Sequence, residues 1–317
     1  MPDRILRMTR SQVDGVPRPV MLAIAGDSAS GKTTLTEGLV GALGEDRCTS
    51  ICVDDYHQFD RTERKELPFT PLHPDCNYID IMEQHLQLLA LGRPILKPVY
   101  DHATGSLVRP EYVEPKEFVI VEGLHPMSTK LLRACFDVMV FLEPPEEIRH
   151  QWKVQRDCAK RGYTPEQVLA DLERREPESE AFIRPQRRFA DIVARFAPVP
   201  GRQDPPGTPL SAELFLRPTI RHPALSNVLT DNLRNAMHLK IMRDKDGTPT
   251  DCLHVHGHAS PEEARQLEKA IWEELETAGG PPEQLGQITP DQRSEPLALT
   301  QLILLYHLFQ ARDGTGR

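Results

Sequence analysis

Residues 20–34 read VMLAIAGDSASGKTT. Six apolar residues, Val20 to Ala25, run without a break and stop at Gly26. That is the pattern of a short strand buried on both faces of a parallel sheet. From Gly26 the text becomes G-x-x-x-x-G-K-T, and from Lys32 to Leu43 the spacing turns helical. The glycines let backbone N–H groups curl around an anion, and a helix opening at Lys32 aims its first donors at the same point. Strand, loop and helix in this order predict a phosphate-binding P-loop. Gly26, Asp27, Ser28, Ala29, Ser30, Gly31, Lys32, Thr33 and Thr34 then cradle a nucleotide. Lys32 reaches the β/γ-phosphates and Thr33 offers its hydroxyl to Mg²⁺. GTP-binding proteins of this fold read guanine through N-K-x-D, and no Asn here is followed by Lys. ATP is therefore the expected nucleotide.

Further apolar runs repeat the same grammar. Thr49–Val53 ends in Asp54-Asp55, Phe118–Val121 ends in Glu122-Gly123, and Val138–Leu142 is closed by Pro144-Pro145. Between them, residues 79–91 have helical spacing and stop at Gly92. Strands alternating with helices predict an α/β fold, a mostly parallel sheet flanked by helices. The Pro/Gly-rich stretch 197–209 reads as a linker. Beyond it, strands are expected at Glu213–Ile220, Met237–Met242 and Cys252–His256, around an Asp246-Gly247 turn. A helix at about 261–276 opens on Ser260-Pro261, a Pro/Gly break follows at 279–282, and an amphipathic helix is expected at about 296–311. The expected organisation is an N-terminal extension (1–19), a P-loop core (20–196) with a lid helix near 145–162, the linker, and a smaller α+β addition (210–317).

Phosphoryl transfer to an alcohol needs a carboxylate beside the attacking hydroxyl. Asp54 stands at a strand end, where open α/β sheets bind ligands, and is the candidate base. Its neighbour Asp55 leaves room for a second, packing role. Glu122 ends another strand, where P-loop enzymes place the acid that holds Mg²⁺ or its waters. Between Arg149 and Arg161, five Lys/Arg meet a single acid, Asp157. On a helix Lys153, Arg156 and Asp157 share a face, with Arg161 close to it. Such a helix suits a lid over phosphates, although a charged surface helix would read similarly. Arg61, Arg64 and Lys65, matched by three acids in DRTERKE, look like a solvated helix face.

Charge sets outer bounds. Lys plus Arg number 38 against 47 Asp plus Glu, a formal net charge of -9, which speaks against nucleic acid and anionic membranes as partners. No apolar run approaches the roughly 18 residues that span a bilayer. The start carries Asp3 and Asp14 and no apolar h-region, unlike a secretory signal. Six scattered cysteines without a C-x-x-C suggest reduced thiols and a cytoplasmic location.

The P-loop, ICVDDYHQFDRTERKE (51–66), HPDCNYIDIMEQHLQLLALGRPILKPVYDHATG (73–105), FVIVEGLHPM (118–127) and WKVQRDCAKRGYT (152–164) occur in one order. Together they resemble the phosphoribulokinases of plants and cyanobacteria, densely over about 20–195 and only in outline beyond. The resemblance implies MgATP-dependent phosphorylation of the C1 hydroxyl of D-ribulose 5-phosphate, a Calvin-cycle reaction, by a homodimer. It implies Asp54 as base with Lys32, Lys153, Arg156 and Asp157 as its catalytic companions, and Thr33, Glu122 and Asp54 as the Mg²⁺ set. It places His57, Arg61, Arg64, Tyr100, His102 and Arg161 around the sugar phosphate. Plant-type members are switched by a disulfide between a P-loop cysteine and one before the DDYH segment. Here Cys52 matches the second position and Ser30 occupies the first, and Cys252 stands alone in the last third. A redox-controlled regulatory complex is accordingly not expected.

Two rival readings stay open at this point: a uridine kinase or other small-molecule kinase of the same group, and a catalytically idle P-loop regulator. His254, His256 and His258 would share one strand face, but without an evident carboxylate partner they are read as structural. The nine acids and three bases of 260–295 are read as a solvated face.

Overall fold

Every residue from Val20 to Gly26 is buried, which leaves that segment no solvated face and makes it a central strand. The computed structural model describes residues 18–203, 205, 207–223, 236–274, 280–289 and 291–314. In chain order the elements are β1 (Val20–Gly26), α1 (Lys32–Leu43), β2 (Cys48–Cys52), α2 (Ile79–Ala90), β3 (Ile95–Asp101), β4 (Ser106–Val113), β5 (Phe118–Gly123), α3 (Lys130–Ala134), β6 (Val138–Leu142), α4 (Glu146–Arg161), α5 (Pro165–Glu178), β7 (Ile192–Ala197), β8 (Ser211–Leu216), β9 (Met237–Arg243), β10 (Pro249–Val255), α6 (Pro261–Glu273) and α7 (Glu295–Asp313). Most of the expected extension, residues 1–17, lies outside the described residues, as do positions 204, 206, 275, 276 and 279 of the other expected segments.

The chain divides into two compact units. The first takes the residues up to Lys32, then Asp46–Leu142 and Glu146–Phe189. Its sheet runs β2-β5-β1-β6, all parallel, with Cys52 opposite Glu122 and Ile24 opposite that same Glu122. The second takes Thr33–Glu45, Glu143–Pro145 and the residues from Ala190 onward. Its strands run β7-β8-β10-β9, all antiparallel.

The apolar runs became strands and helices close to where their patterns end. Two elements of the first unit escaped that reading. In the hairpin β3–β4, seven of the eight β4 residues are exposed, so no period-2 apolar signal exists there. Pro98 sits where the register shifts between Lys97 and Val99, which is where a strand tolerates proline. Helix α5 is mostly charged but opens on a reciprocal capping box between Thr164 and Gln167, with Pro165 in its first turn.

Several expectations need correcting. The DRTERKE segment forms one 3-10 turn, Glu63–Glu66, and no helix face. The strand after the linker stops at Leu216, because buried Arg217 turns to pair with Asp244 at 2.5 Å and Asp246 at 3.0 Å. Helix α7 is not amphipathic: all fourteen residues from Pro296 to Phe309 are buried. Its polar members are satisfied internally, with Gln301 accepting from the Gly286 N–H at 2.7 Å and Thr300 donating to the Pro296 carbonyl. Nor is 260–295 wholly solvated, since Glu268 is buried against Arg293 at 2.6 Å.

Gly123 ends β5 at φ +148°, and a Cβ there would meet Val53 Cγ2 at 2.1 Å. Gly123→Ala is expected to lower unfolding stability by about 3 kcal/mol through backbone strain and overpacking, as urea denaturation would show. An unchanged midpoint would contradict the close approach.

Candidate active site

The parallel register aligns three strand ends in the first unit. After β1 comes the phosphate loop, at the end of β5 stands Glu122, and after β2 come Asp54 and Asp55. A side chain at Gly26 would strike the Leu142 carbonyl and Ser30 Oγ, each at 2.7 Å, so only glycine lets the loop turn there. Ala29 adopts φ +63°, a left-handed conformation that costs a non-glycine residue about 1 kcal/mol and turns successive N–H groups toward one concavity. Ser30 Oγ is buried without a hydrogen-bond partner.

Lys32 donates to the carbonyls of Gly26 at 2.9 Å and Asp27 at 2.8 Å. Burial lowers its pKa, while Glu122, Asp54, Asp27 and Cys52 pull the other way. Thr33 and Thr34 continue the chain directly into α1. Asp27 does more than fill a loop position: it accepts from Ser179 Oγ at 2.5 Å and lies 3.4 Å from Arg184 Nε.

Asp54 is half-buried. Burial opposes its ionisation, but the charges of His57, Lys32, His102 and His125 outweigh it and hold the carboxyl below the usual range. At neutral pH it is a carboxylate, the form a general base requires. Asp55 has the separate packing role: it pairs with buried Lys97 and accepts from the Tyr100 N–H at 3.1 Å, tying the β3–β4 hairpin to this turn. The oxygens of Asp54 and Glu122 are hard donors of the kind Mg²⁺ takes, alongside substrate phosphates. Among the described residues, no group of three or more His, Cys, Asp or Glu is arranged to hold a metal without such help.

Next to Asp54 the hairpin builds an aromatic wall. The rings of His57 and Tyr100 meet edge to face at 5.0 Å, as do those of Tyr100 and His102. Asn77 donates to the Pro71 and His73 carbonyls, which leaves its Oδ1 to accept from His57 Nδ1 at 2.7 Å and frees His57 Nε2 as an acceptor. Arg64 donates to the Tyr100 hydroxyl and covers its ring at 4.6 Å. Arg61 donates to the His102 carbonyl at 2.5 Å.

Helix α4 buries Arg149, Lys153 and Asp157 on one face. Lys153 is 2.9 Å from Asp157 and 3.2 Å from Asp171 of α5, a partner eighteen residues on that no local pattern reveals. Arg156 at 2.8 Å and Arg161 at 3.4 Å also converge on Asp157. Burial raises the Asp157 pKa, and the hydrogen bonds of Arg156 and Lys153 with their charges bring it down to about 2. The helix also reaches the loop: Arg156 Nη2 lies 3.5 Å from Ser28 Oγ, and Trp152 lies beside Gly31. The expected residues therefore fall in the first unit, except Thr33 and Thr34, which belong to the second; within the first, Lys153 faces α5. Sequence reasoning missed Asp27's partners, Asp171, Asn77, Lys97 and His125.

The profile of the Phosphoribulokinase / Uridine kinase family matches residues 21–200, which include every element of this site. The chain belongs to that family. Phosphoribulokinase of Synechocystis sp. is 43% identical over 181 residues, covering 57% of this chain and 54% of that protein. Chloroplastic phosphoribulokinase of Triticum aestivum is 36% identical over 200 residues, 58% and 50% of the two chains. A uridine kinase of Chloroflexus aurantiacus is 30% identical over 181 residues, 55% of this chain and 86% of that one. The chain spans about half the length of the phosphoribulokinases it matches. A solved structure, the phosphoribulokinase from Rhodobacter spheroides, aligns with TM-score 0.57 at 18% identity, covering 78% of this chain and 94% of that one, and shows the shared fold.

Outside this kinase-family site, the HVHGH stretch does meet a carboxylate. His254 lies 3.4 Å from Glu213 of β8 and stacks on His238, which bonds His256 at 2.8 Å. All six cysteines are free, and burial first, then Asp54 and Glu122, push the Cys52 thiol well up. No helix among the described residues is long and apolar enough to cross a membrane.

Burial pushes His57 and His125 from the ordinary 6.5 down to about 4. On unfolding each regains its ordinary pKa and takes up a proton. Their contribution to stability is full above pH 6.5 and is lost as pH falls toward 4; the depressed Asp54 and Asp157 act in the same direction at lower pH still. The melting temperature is expected to fall as pH drops from 6.5 to 4. A flat or rising trend would contradict the buried neutral rings.

Proposed function

We propose that the chain is an ATP-dependent kinase that phosphorylates D-ribulose 5-phosphate at the C1 hydroxyl, giving ribulose 1,5-bisphosphate and ADP. The observation that carries this reading is one juxtaposition. A carboxylate held ionised, Asp54, is coupled electrostatically to Lys32, which is also coupled to Glu122, and to His57 and His102 of the ring wall that Arg61 and Arg64 bond. The similarity to proteins named phosphoribulokinase supports the choice of acceptor.

In this mechanism the C1 oxygen attacks the γ-phosphorus in line. The bond from phosphorus to the β–γ bridging oxygen breaks, ADP leaves, and the hydroxyl proton passes to Asp54. Gly26, Ser28, Ala29, Ser30 and Gly31 present backbone donors to the phosphates, with the Lys32 ammonium beside them. Arg61, Arg64 and His102 hold the 5-phosphate of the sugar, and His57 offers Nε2 to a sugar hydroxyl. Mg²⁺, which Thr33, Glu122 and Asp54 would hold, would supply countercharge to the phosphates. Helix α4 brings Arg156 toward the transferred group and Arg161 toward the sugar phosphate. Lys153 stabilises the ionised Asp157 that fixes both guanidiniums. Closure of this helix excludes water and limits hydrolysis of ATP. The reading extends to a cytoplasmic homodimer.

The test is ADP release measured with ribulose 5-phosphate, uridine and ribose 5-phosphate in turn. Turnover is expected only with the first; preference for uridine, or no turnover with any, would contradict the reading. Asp54→Asn is expected to lower kcat by about 10²- to 10⁴-fold with little change in ATP affinity, and a mild effect would remove Asp54 as base. Because Cys52 has no cysteine at position 30 to join and a thiol kept protonated, activity should be equal after oxidant and after dithiol. A large reversible loss abolished by Cys52→Ser would contradict this.

A further inference from the structure

Asp27 is the one acid within the phosphate loop, and it is 8% exposed. Its carboxylate is taken up by the segment that follows α5. In the π-type turn Ser179–Ile183, the Arg184 N–H donates to the Ser179 carbonyl five residues back. That spacing puts the side chains of Ser179 and Arg184 on one side of the turn, and both meet Asp27. Ser179 Oγ donates to Asp27 Oδ1 at 2.5 Å, and Arg184 Nε lies 3.4 Å from Oδ2. Ser179 is buried, whereas Arg184 is one-third exposed and spreads its other nitrogens over Glu146 at 2.5 Å and Glu176 at 2.7 Å.

An acid in this loop works against binding a polyphosphate, because like charges close together inside a protein repel strongly. The Asp27 charge reaches the Lys32 ammonium: burial lowers that lysine's pKa, and Asp27, with Glu122 and Asp54, opposes the shift. A charge felt at Lys32 is felt by the phosphates that Lys32 binds. Arg184 supplies the opposite charge. Burial disfavours its charged form, but Asp27, Glu176 and Glu146 outweigh burial and keep the guanidinium protonated. Water screens the more exposed Glu146 and Glu176, whereas it reaches Asp27 little, so Asp27 depends most on the guanidinium.

We infer that Arg184 is a positioning residue for ATP binding that acts through Asp27: it neutralises the acid of the phosphate loop and, with Ser179, fixes that carboxylate in place. This rests on the kinase reading above and adds to it a residue 157 positions further along the chain. The same guanidinium ties the loop to the first turn of α4 through Glu146 and to the end of α5 through Glu176. One cation thus serves the loop and the base of the helix that carries Lys153, Arg156 and Asp157.

The experiment measures MgATP affinity by calorimetric titration, with KM for ribulose 5-phosphate and the melting temperature alongside. Arg184→Met, which keeps an unbranched side chain without the charge, is expected to weaken ATP binding about 10-fold while KM for the sugar holds. Adding Asp27→Asn to it should recover most of that loss, because the unopposed acid is gone. Glu176→Gln, which loosens the tie to α5 and leaves Asp27 paired, should bind ATP like the wild type. Wild-type affinity in Arg184→Met, a loss that persists in the double variant, or an equal loss in Glu176→Gln would overturn the inference alone. If Arg184→Met does not fold by itself, the double variant decides: a folded protein that binds MgATP supports the inference, and an unfolded one overturns it. A wild-type protein that binds no MgATP would overturn the kinase reading and this inference with it.

Discussion

Parallel pairing of β1 with β5, and of β5 with β2, fixes where the loop after β1, Glu122 and the Asp54 turn start. In a parallel ladder all strands finish at the same edge, so the residues that follow them are delivered to one crevice. The pairing of Ile24 and Cys52 with Glu122 sets that delivery to the residue. A slip of one position would turn Glu122 to the other face and replace it with Val121 or Gly123. The three strands are buried almost throughout, so the hydrophobic pattern that holds the register also holds the chemistry.

On that frame the first unit arranges charge in opposing pairs. Lys32 is lowered by burial and supported by Glu122, Asp54 and Asp27; Asp54 is opposed by burial and supported by Lys32 and its neighbouring rings. Each charged group is tolerable inside the protein because the other is there, which is the usual condition for buried ions. Asp157 repeats the scheme on α4, where one carboxylate gathers Lys153, Arg156 and Arg161. A net charge of -9 is compatible with such a site because the positive groups are concentrated on α4 and at Lys32.

What could be read in advance follows from whether the signal was local. The apolar runs before Gly26, Asp54 and Glu122 announced their strands because burial on both faces demands continuous hydrophobicity. That one of the adjacent acids could have a packing role was legible, and Asp55 has one, pairing with Lys97 and accepting from the Tyr100 backbone. The hairpin itself was not legible, since an exposed β4 carries no apolar alternation. Helix α7 was misjudged as amphipathic, since its polar residues Thr300, Gln301 and His307 are all buried. Asp171 and His125 matter only through contacts across elements, and spacing along the chain contains no trace of them.

The most direct test of the central claim follows the transferred phosphate. With ribulose 5-phosphate labelled with ¹³C at C1, phosphorus NMR of the reaction with ATP should show a new phosphate coupled to the labelled carbon, appearing in step with ADP. ADP formed with free phosphate, or a new phosphate lacking that coupling, would contradict the account.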